Sequence, residues 1–253
     1  LGVIAATSAQ TTPIRIGQVQ GDGETSPLAG KEVMVEGVVT AVRRAEPLSG
    51  GLNGWFLQDM DDGDPATSDA LFVIDDGDPA VGARVQVRGR VIEKEGSRGS
   101  WTVLDPLGVT PLGRSRPPRA VKLSAPPADW ERYENMRVRI AAPLTVAGTH
   151  RAGKYGELLV NFGERLRTPA DAVAPGEAAR ALAADNARRM LRLDDGSDTE
   201  RADYLRVHAA PLVQQHVDNL VRVNPAIPAS AATATSRRPL ASMGPLPYLS
   251  RPA

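Results

Sequence analysis

The chain has no cysteine among its 253 residues. Disulfides and thiolate metal sites are excluded, so packing and hydrogen bonds must hold the fold. This absence assigns no compartment. Aromatic residues are scarce, at 4%, while hydrophobic residues make up 42%. The core must therefore be built from Val, Leu, Ile and Ala. There is no excess of charge either: 30 Lys+Arg balance 30 Asp+Glu. A zero balance removes any global pull toward nucleic acid or an anionic membrane, and leaves nucleic-acid contact to a local patch. No apolar run reaches the roughly 18 residues of a transmembrane helix, so no membrane insertion is expected. Histidine is limited to His150, His208 and His216. None has a Ser or Cys nucleophile pattern beside it, which argues against zinc or hydrolytic chemistry. What is abundant is Gly (24) and Pro (21), many of them at turns between short apolar runs. That pattern favours β structure with many loops.

Residues 1–6 are apolar, and Ala6-Thr7-Ser8-Ala9-Gln10 sets small residues where a signal peptidase cuts. Residues 1–10 read as the remnant of a secretory signal peptide, with a mature, secreted chain from near Gln10; the other reading is a frayed apolar terminus. A short strand is expected over 14–19. Residues 30–42 alternate, with Val33, Val35, Gly37 and Val39 on one side and Met34, Glu36, Val38 and Thr40 on the other. That is a half-buried strand. Further strands are expected over 55–59, 70–74, 84–94 and 100–104. In 84–94, Val85, Val87, Gly89 and Val91 oppose Arg84, Gln86, Arg88, Arg90 and Lys94. Five short antiparallel strands fit a closed barrel of the OB type over 11–112. Gly37 and Gly89 would relieve crowding where a strand bends.

Residues 113–127 read as a linker rich in Pro, Arg and Ser. A second unit, 128–197, begins with a first strand, Tyr133 to Ile140, which lies over Leu28 to Val35 without gaps. Strands over 156–162, 164–168 and 191–193 and a helix over 175–190 make it an incomplete OB-like unit. The fold class expected is mainly β. Residues 207–223 suggest a strand or helix pair, and 198–253 as a whole read as an irregular or disordered tail, most clearly from Pro225 onward.

Several blocks carry a family likeness: Ile16-Gly17-Gln18-Val19-Gln20-Gly21-Asp22-Gly23, Val35-Glu36-Gly37-Val38-Val39-Thr40-Ala41, Trp55-Phe56-Leu57-Gln58-Asp59 and Leu71-Phe72-Val73. Pro143-Leu144-Thr145-Val146, Asn186-Ala187-Arg188-Arg189 and Leu193-Asp194-Asp195-Gly196-Ser197 continue it in order. Residues 14–197 resemble the amino-terminal, non-catalytic region of bacterial extracellular nucleases of the ExeM/NucH type. The resemblance implies that chemistry belongs to a separate DNase I-like domain, missing from this chain, that uses divalent metal. No position here inherits a catalytic role, and no cofactor is expected within the chain.

Two candidate sites stand out. Arg84, Arg88, Arg90 and Lys94 form a basic stripe, with Arg43, Arg44 and Arg98 in adjacent loops. Trp55 and Trp101 would supply stacking platforms for single-stranded DNA. The other reading is a solvated outer face, with the tryptophans packed at a barrel end. Asp59, Asp61, Asp62, Asp64 and Asp69 crowd one hairpin and offer a weak cation site. However, the fifth and twelfth positions of a calcium loop counted from Asp59 are Gly63 and Ala70, which favours a polar turn. Two functions are thus expected: weak, non-specific DNA binding or positioning of the nuclease domain, or a structural, carbohydrate- or protein-interaction module.

Overall fold

A computed structural model describes residues 12–45, 52–95, 100–150 and 158–194, together with 220–223 and 248–250. The expected signal-peptide remnant, Arg98, His208 and His216 lie outside these residues. The chain is mainly β. Five strands, β1 (Glu32–Arg43), β2 (Gly54–Gln58), β3 (Ala70–Ile74), β4 (Ala83–Glu93) and β5 (Thr102–Arg114), pair in the order β1-β2-β3-β5-β4. Pairing of β4 with β1 closes the sheet on itself. Alternation in β1 and β4 places Val33, Val35, Val39, Val85, Val87 and Val91 in the core, as their periodicity requires. β1 meets β4 through residues 32–38 and β2 through 38–43, with a register shift between Val39 and Ala41. Gly37 sits at this handover, where a Cβ would lie 2.8 Å from Leu57 Cγ. A Cβ on Gly89 would lie 2.6 Å from the Asp105 carbonyl oxygen. Both glycines therefore admit a neighbouring strand that a side chain would push away.

Three expectations for this part need correction. The pairing is not antiparallel throughout: β3 and β5 run parallel, Phe72 opposite Val103 and Val73 opposite Leu104. An odd number of strands cannot close a ring with every neighbour antiparallel, so one parallel pair is forced. Second, 14–19 is not a strand. Ile14 makes one parallel bridge to Val35, and Ile16–Gln20 is a helix, α1. The helical turn brings Ile16 and Val19 onto one face, and both are buried in the ring's core. Third, β5 continues to Arg114, through residues 111–112 at the end of the expected first domain and into the expected linker. Two register shifts against β4, between Arg84 and Val85 and between Arg88 and Gly89, accommodate the strand's Pro106 and Pro111.

A second sheet has the order β6-β7-β11-β12-β10-β9-β8. Its members are β6 (Val121–Leu123), β7 (Arg137–Ile140), β8 (Leu144–Gly148), β9 (Leu158–Phe162), β10 (Met190–Asp194), β11 (Leu220–Val223) and β12 (Tyr248–Ser250). Short α2 (Pro169–Ala172) and longer α3 (Glu177–Arg189) lie between β9 and β10, so the expected helix is present. Leu123, Trp130, Val138, Ile140, Leu144, Val160, Phe162 and Leu191 are among the residues of this sheet's own core. Residues 164–168 are not a strand. Gly163 turns with φ +72°, and the Asn161 amide donates to the Glu164 carbonyl at 2.7 Å, which bends the chain off the sheet. β11, at the end of the stretch read as a strand or helix pair, and β12, in the region read as irregular or disordered, are strands that lie between β7 and β10. Strands of three or four residues are too short for alternation to reveal. Among the described residues no helix is long and apolar enough to cross a membrane.

Candidate nucleic-acid interface

The basic stripe lies on the outer face of β4, as its periodicity demands, but β1 presents acids beside it. Arg84 pairs with Glu36 at 3.0 Å and Arg88 with Glu32 at 2.7 Å. Gln86 adds a hydrogen bond of 2.9 Å to Glu36. The register sets Arg90 opposite Glu32 on one side and Asp105 on the other. Lys94 follows the strand and is half-buried, its backbone N–H donating to the Trp101 carbonyl at 2.9 Å. The Arg84 and Arg88 side chains are about half exposed, at 51% and 50%. Such pairs contribute only about 0–1 kcal/mol, so stability is not their main consequence. They cancel the local positive field that would attract a phosphate chain.

The tryptophans are elsewhere. Trp55 on β2 is fully buried in the ring's core and donates from Nε1 to Asp75 Oδ2 at 2.8 Å. Trp101 is buried against Phe72, with ring centroids 4.8 Å apart, and donates to Asn135 Oδ1 at 3.1 Å. Neither ring offers a face to a base, so stripe and aromatics do not form one groove. In the adjacent loop Arg44 donates to the Gly77 carbonyl and pairs with Asp78 at 3.1 Å. Arg43 is buried.

In the acidic hairpin the carboxylates serve the backbone. Asp61 accepts from Gly63 N–H at 2.8 Å, Asp62 from Asp64 N–H at 2.9 Å, and Asp64 from Ala66 N–H at 2.8 Å. These are side-chain-closed turns. Asp59 reaches the other way: its Oδ2 accepts from Ile16 N–H at 3.1 Å and lies 3.7 Å from Arg15. The pair Asp59 and Asp69 is buried, and an oxygen on each has no hydrogen-bond partner. Burial raises Asp59 to about 6, against the Ile16 amide and Arg15, which lower it. Burial first, then the charges of Asp59 and Asp62, raise Asp69 to about 7. Among the described residues no three His, Asp or Glu side chains are grouped to hold a metal ion. The hairpin ties α1 to the start of β3.

These shifts set a pH dependence. The folded protein holds both protons more tightly than the unfolded chain does. Their contribution to stability is complete below about pH 4 and is lost as pH rises through 6 and 7. Asp69→Asn should therefore raise the urea midpoint at pH 8 and leave it nearly unchanged at pH 4. A variant with the same pH 4 to pH 8 difference as the parent would remove Asp69 from this account.

The sequence reading missed a polar junction between the two sheets. Residues 133–136 were expected as the start of a strand; instead a short 3-10 turn, Glu131–Tyr133, is followed by a bend before β7. Asn135 takes φ +59°, a left-handed conformation that Asn tolerates. Ser68 donates to the Glu134 carbonyl at 2.5 Å, and Gln58 Oε1 accepts from the Arg137 N–H at 3.2 Å. Arg132 donates to the Pro65 carbonyl. The Glu134 side chain is buried at 1% exposure. Close by, Glu93 accepts from Ser26 N–H at 2.7 Å and from the Thr102 hydroxyl at 2.9 Å. Thr102 aside, which is 9 residues from Glu93, these partners are 66 to 79 residues away from those they bind, for example Ser68 to Glu134 and Gln58 to Arg137, so local pattern carries no sign of them. No protein-family model matches the chain, and a search of curated proteins finds no match.

Proposed function

We propose that this chain is the non-catalytic, OB-type region of a secreted bacterial nuclease, which holds DNA weakly and without sequence preference and positions a DNase I-like catalytic domain. The observation that supports it is the ring order β1-β2-β3-β5-β4. That is the strand order expected of a five-stranded Greek-key barrel of the kind that binds oligonucleotides, and the family-like blocks 35–41, 55–58 and 71–73 fall on its first three strands. Divalent metal belongs to the catalytic domain in this reading. Buried tryptophans speak against base stacking, and the ion pairs of the stripe speak against phosphate contact on β4, so DNA contact in this reading falls to other exposed cations. Both observations also favour a second reading, a purely structural or carbohydrate- or protein-interaction module.

Cleavage and binding assays separate these. The chain should not nick supercoiled plasmid with magnesium, manganese or calcium, and should bind DNA at low salt in the micromolar range or weaker. Nicking that tracks the purified protein and stops with chelator would overturn the non-catalytic assignment. A folded chain that binds no DNA at low salt would leave the structural module as the function.

A further inference from the structure

β5 ends at Arg114 and β6 begins at Val121, so the chain between them crosses from the closed ring to the second sheet. The nine residues 114–122 hold Arg114, Arg116, Arg119 and Lys122, and no Asp or Glu. The chain as a whole balances 30 cations against 30 acids, so this stretch concentrates +4 and the remainder carries −4. All four side chains are exposed. Among the described residues none of the four is in an ion pair, in contrast to Arg84 and Arg88 on β4.

The backbone beneath them is held in place. Ser115 N–H donates to the Gly82 carbonyl at 2.9 Å. Pro118 is buried, and its carbonyl accepts from Arg137 Nη1 at 2.9 Å. Pro117 and Pro118 fix their own φ angles. β6 then sets Lys122 opposite Arg139 on β7. A cationic edge on ordered backbone loses little conformational freedom when it binds.

Side-chain chemistry narrows the ligand. Three of the four groups are guanidinium, which matches phosphate oxygens in a two-pronged geometry. Among the described residues the exposed large apolar side chains are Met60, Val81, Leu107, Val109 and Leu112, none of them aromatic. Without a stacking platform a single strand loses its usual advantage. Duplex DNA has the denser line of phosphates, about one charge per 1.7 Å of axis.

We infer that Arg114, Arg116, Arg119 and Lys122 form an edge that seats the sugar–phosphate backbone of double-stranded DNA without reading its bases. The inference rests on the nucleic-acid reading above and moves the contact from β4 to the crossing between sheets.

Anisotropy titration of a labelled mixed-sequence duplex with the full chain tests it. Four phosphate contacts predict a log–log salt slope of about −3.6. Arg116→Glu/Arg119→Glu should weaken binding at least tenfold at low salt and flatten the slope by about 2. Arg116→Lys/Arg119→Lys should keep most of the affinity, and Arg88→Ala/Arg90→Ala should stay within twofold of the parent. Thermal melts of each variant establish that it is folded. Duplex binding undiminished in the charge-reversed variant would overturn this edge and leave the nucleic-acid reading standing. No duplex binding by the folded parent at low salt would overturn both. Binding to phosphatidylserine vesicles in place of duplex would also overturn the inference.

Discussion

Trp55→Ala should lower the stability of the protein by about 3–5 kcal/mol. The indole is fully buried on β2, which is paired with β1 on one side and β3 on the other. Leu57, Leu71, Val73 and Leu104 belong to the same core cluster. Truncation removes the transfer free energy of the largest side chain in that cluster and leaves a cavity that three hydrogen-bonded strands cannot collapse to fill. It also removes the hydrogen-bond donor to Asp75 Oδ2. Urea unfolding followed by circular dichroism measures the loss. Duplex affinity of the folded fraction, taken well below the melting temperature, should stay within twofold of the parent. The opposite result, unchanged stability with DNA affinity reduced by about 1–3 kcal/mol, is the signature of a stacking residue and would restore the sequence-based role.

The second large effect is at the junction between the sheets. Glu134→Gln should raise stability at pH 8 by about 1–3 kcal/mol and leave it nearly unchanged near pH 4. Burial pushes the Glu134 carboxyl well above its ordinary value, and the charges of Glu131 on its own turn and Glu93 on β4 push it further. The Gln20 side chain from α1 and the Thr102 backbone N–H from β5 oppose the shift, but neither closes a hydrogen bond of normal geometry on the carboxylate. A carboxyl raised in the folded state contributes stability that is complete below its unfolded value and is lost as pH rises toward its folded one. Glutamine keeps the shape and removes the charge, so the gain appears only on the alkaline side. Paired urea midpoints at the two pH values decide it. A gain of equal size at both would mean that packing, not charge, separates the variants.

The two variants probe different links between sequence and structure. Alternation along 30–42 and 84–94 was enough to locate β1 and β4 and to divide their residues between core and solvent. A period of two is a local property, and the valines and arginines obey it residue by residue. Gly37 and Gly89 were also legible, because a glycine inside an alternating strand marks close approach by another backbone. The helix over Glu177–Arg189 announced itself through its alanines. In the same way the Asp-Gly and Asp-Pro steps of the acidic hairpin announced turns.

Periodicity assigns a residue to a face but says nothing of which strand lies beside it. Arg84 and Arg88 looked like a free cationic stripe until β1 was seen to place Glu36 and Glu32 alongside, some 50 residues earlier in the chain. Trp55 looked available for stacking because an aromatic at a strand position fits either face. Only the closed ring, with its forced parallel β3–β5 pair, determines that this face is the interior. The same holds for Glu134, read as one more strand residue and found buried near Glu93 of the other sheet. The cations of 114–122 are the converse case. In sequence they passed for linker composition, and only their exposed, anchored position between the sheets sets them apart. What the amino-acid order determined by itself is the mainly β class, the placement of the long strands and the inward valines, since these follow from local steric and solvation preferences. What the tertiary structure alone decided is which charges neutralise each other, which rings are sealed from solvent and which carboxyls lose their water, because each depends on groups that folding brings together across tens of residues.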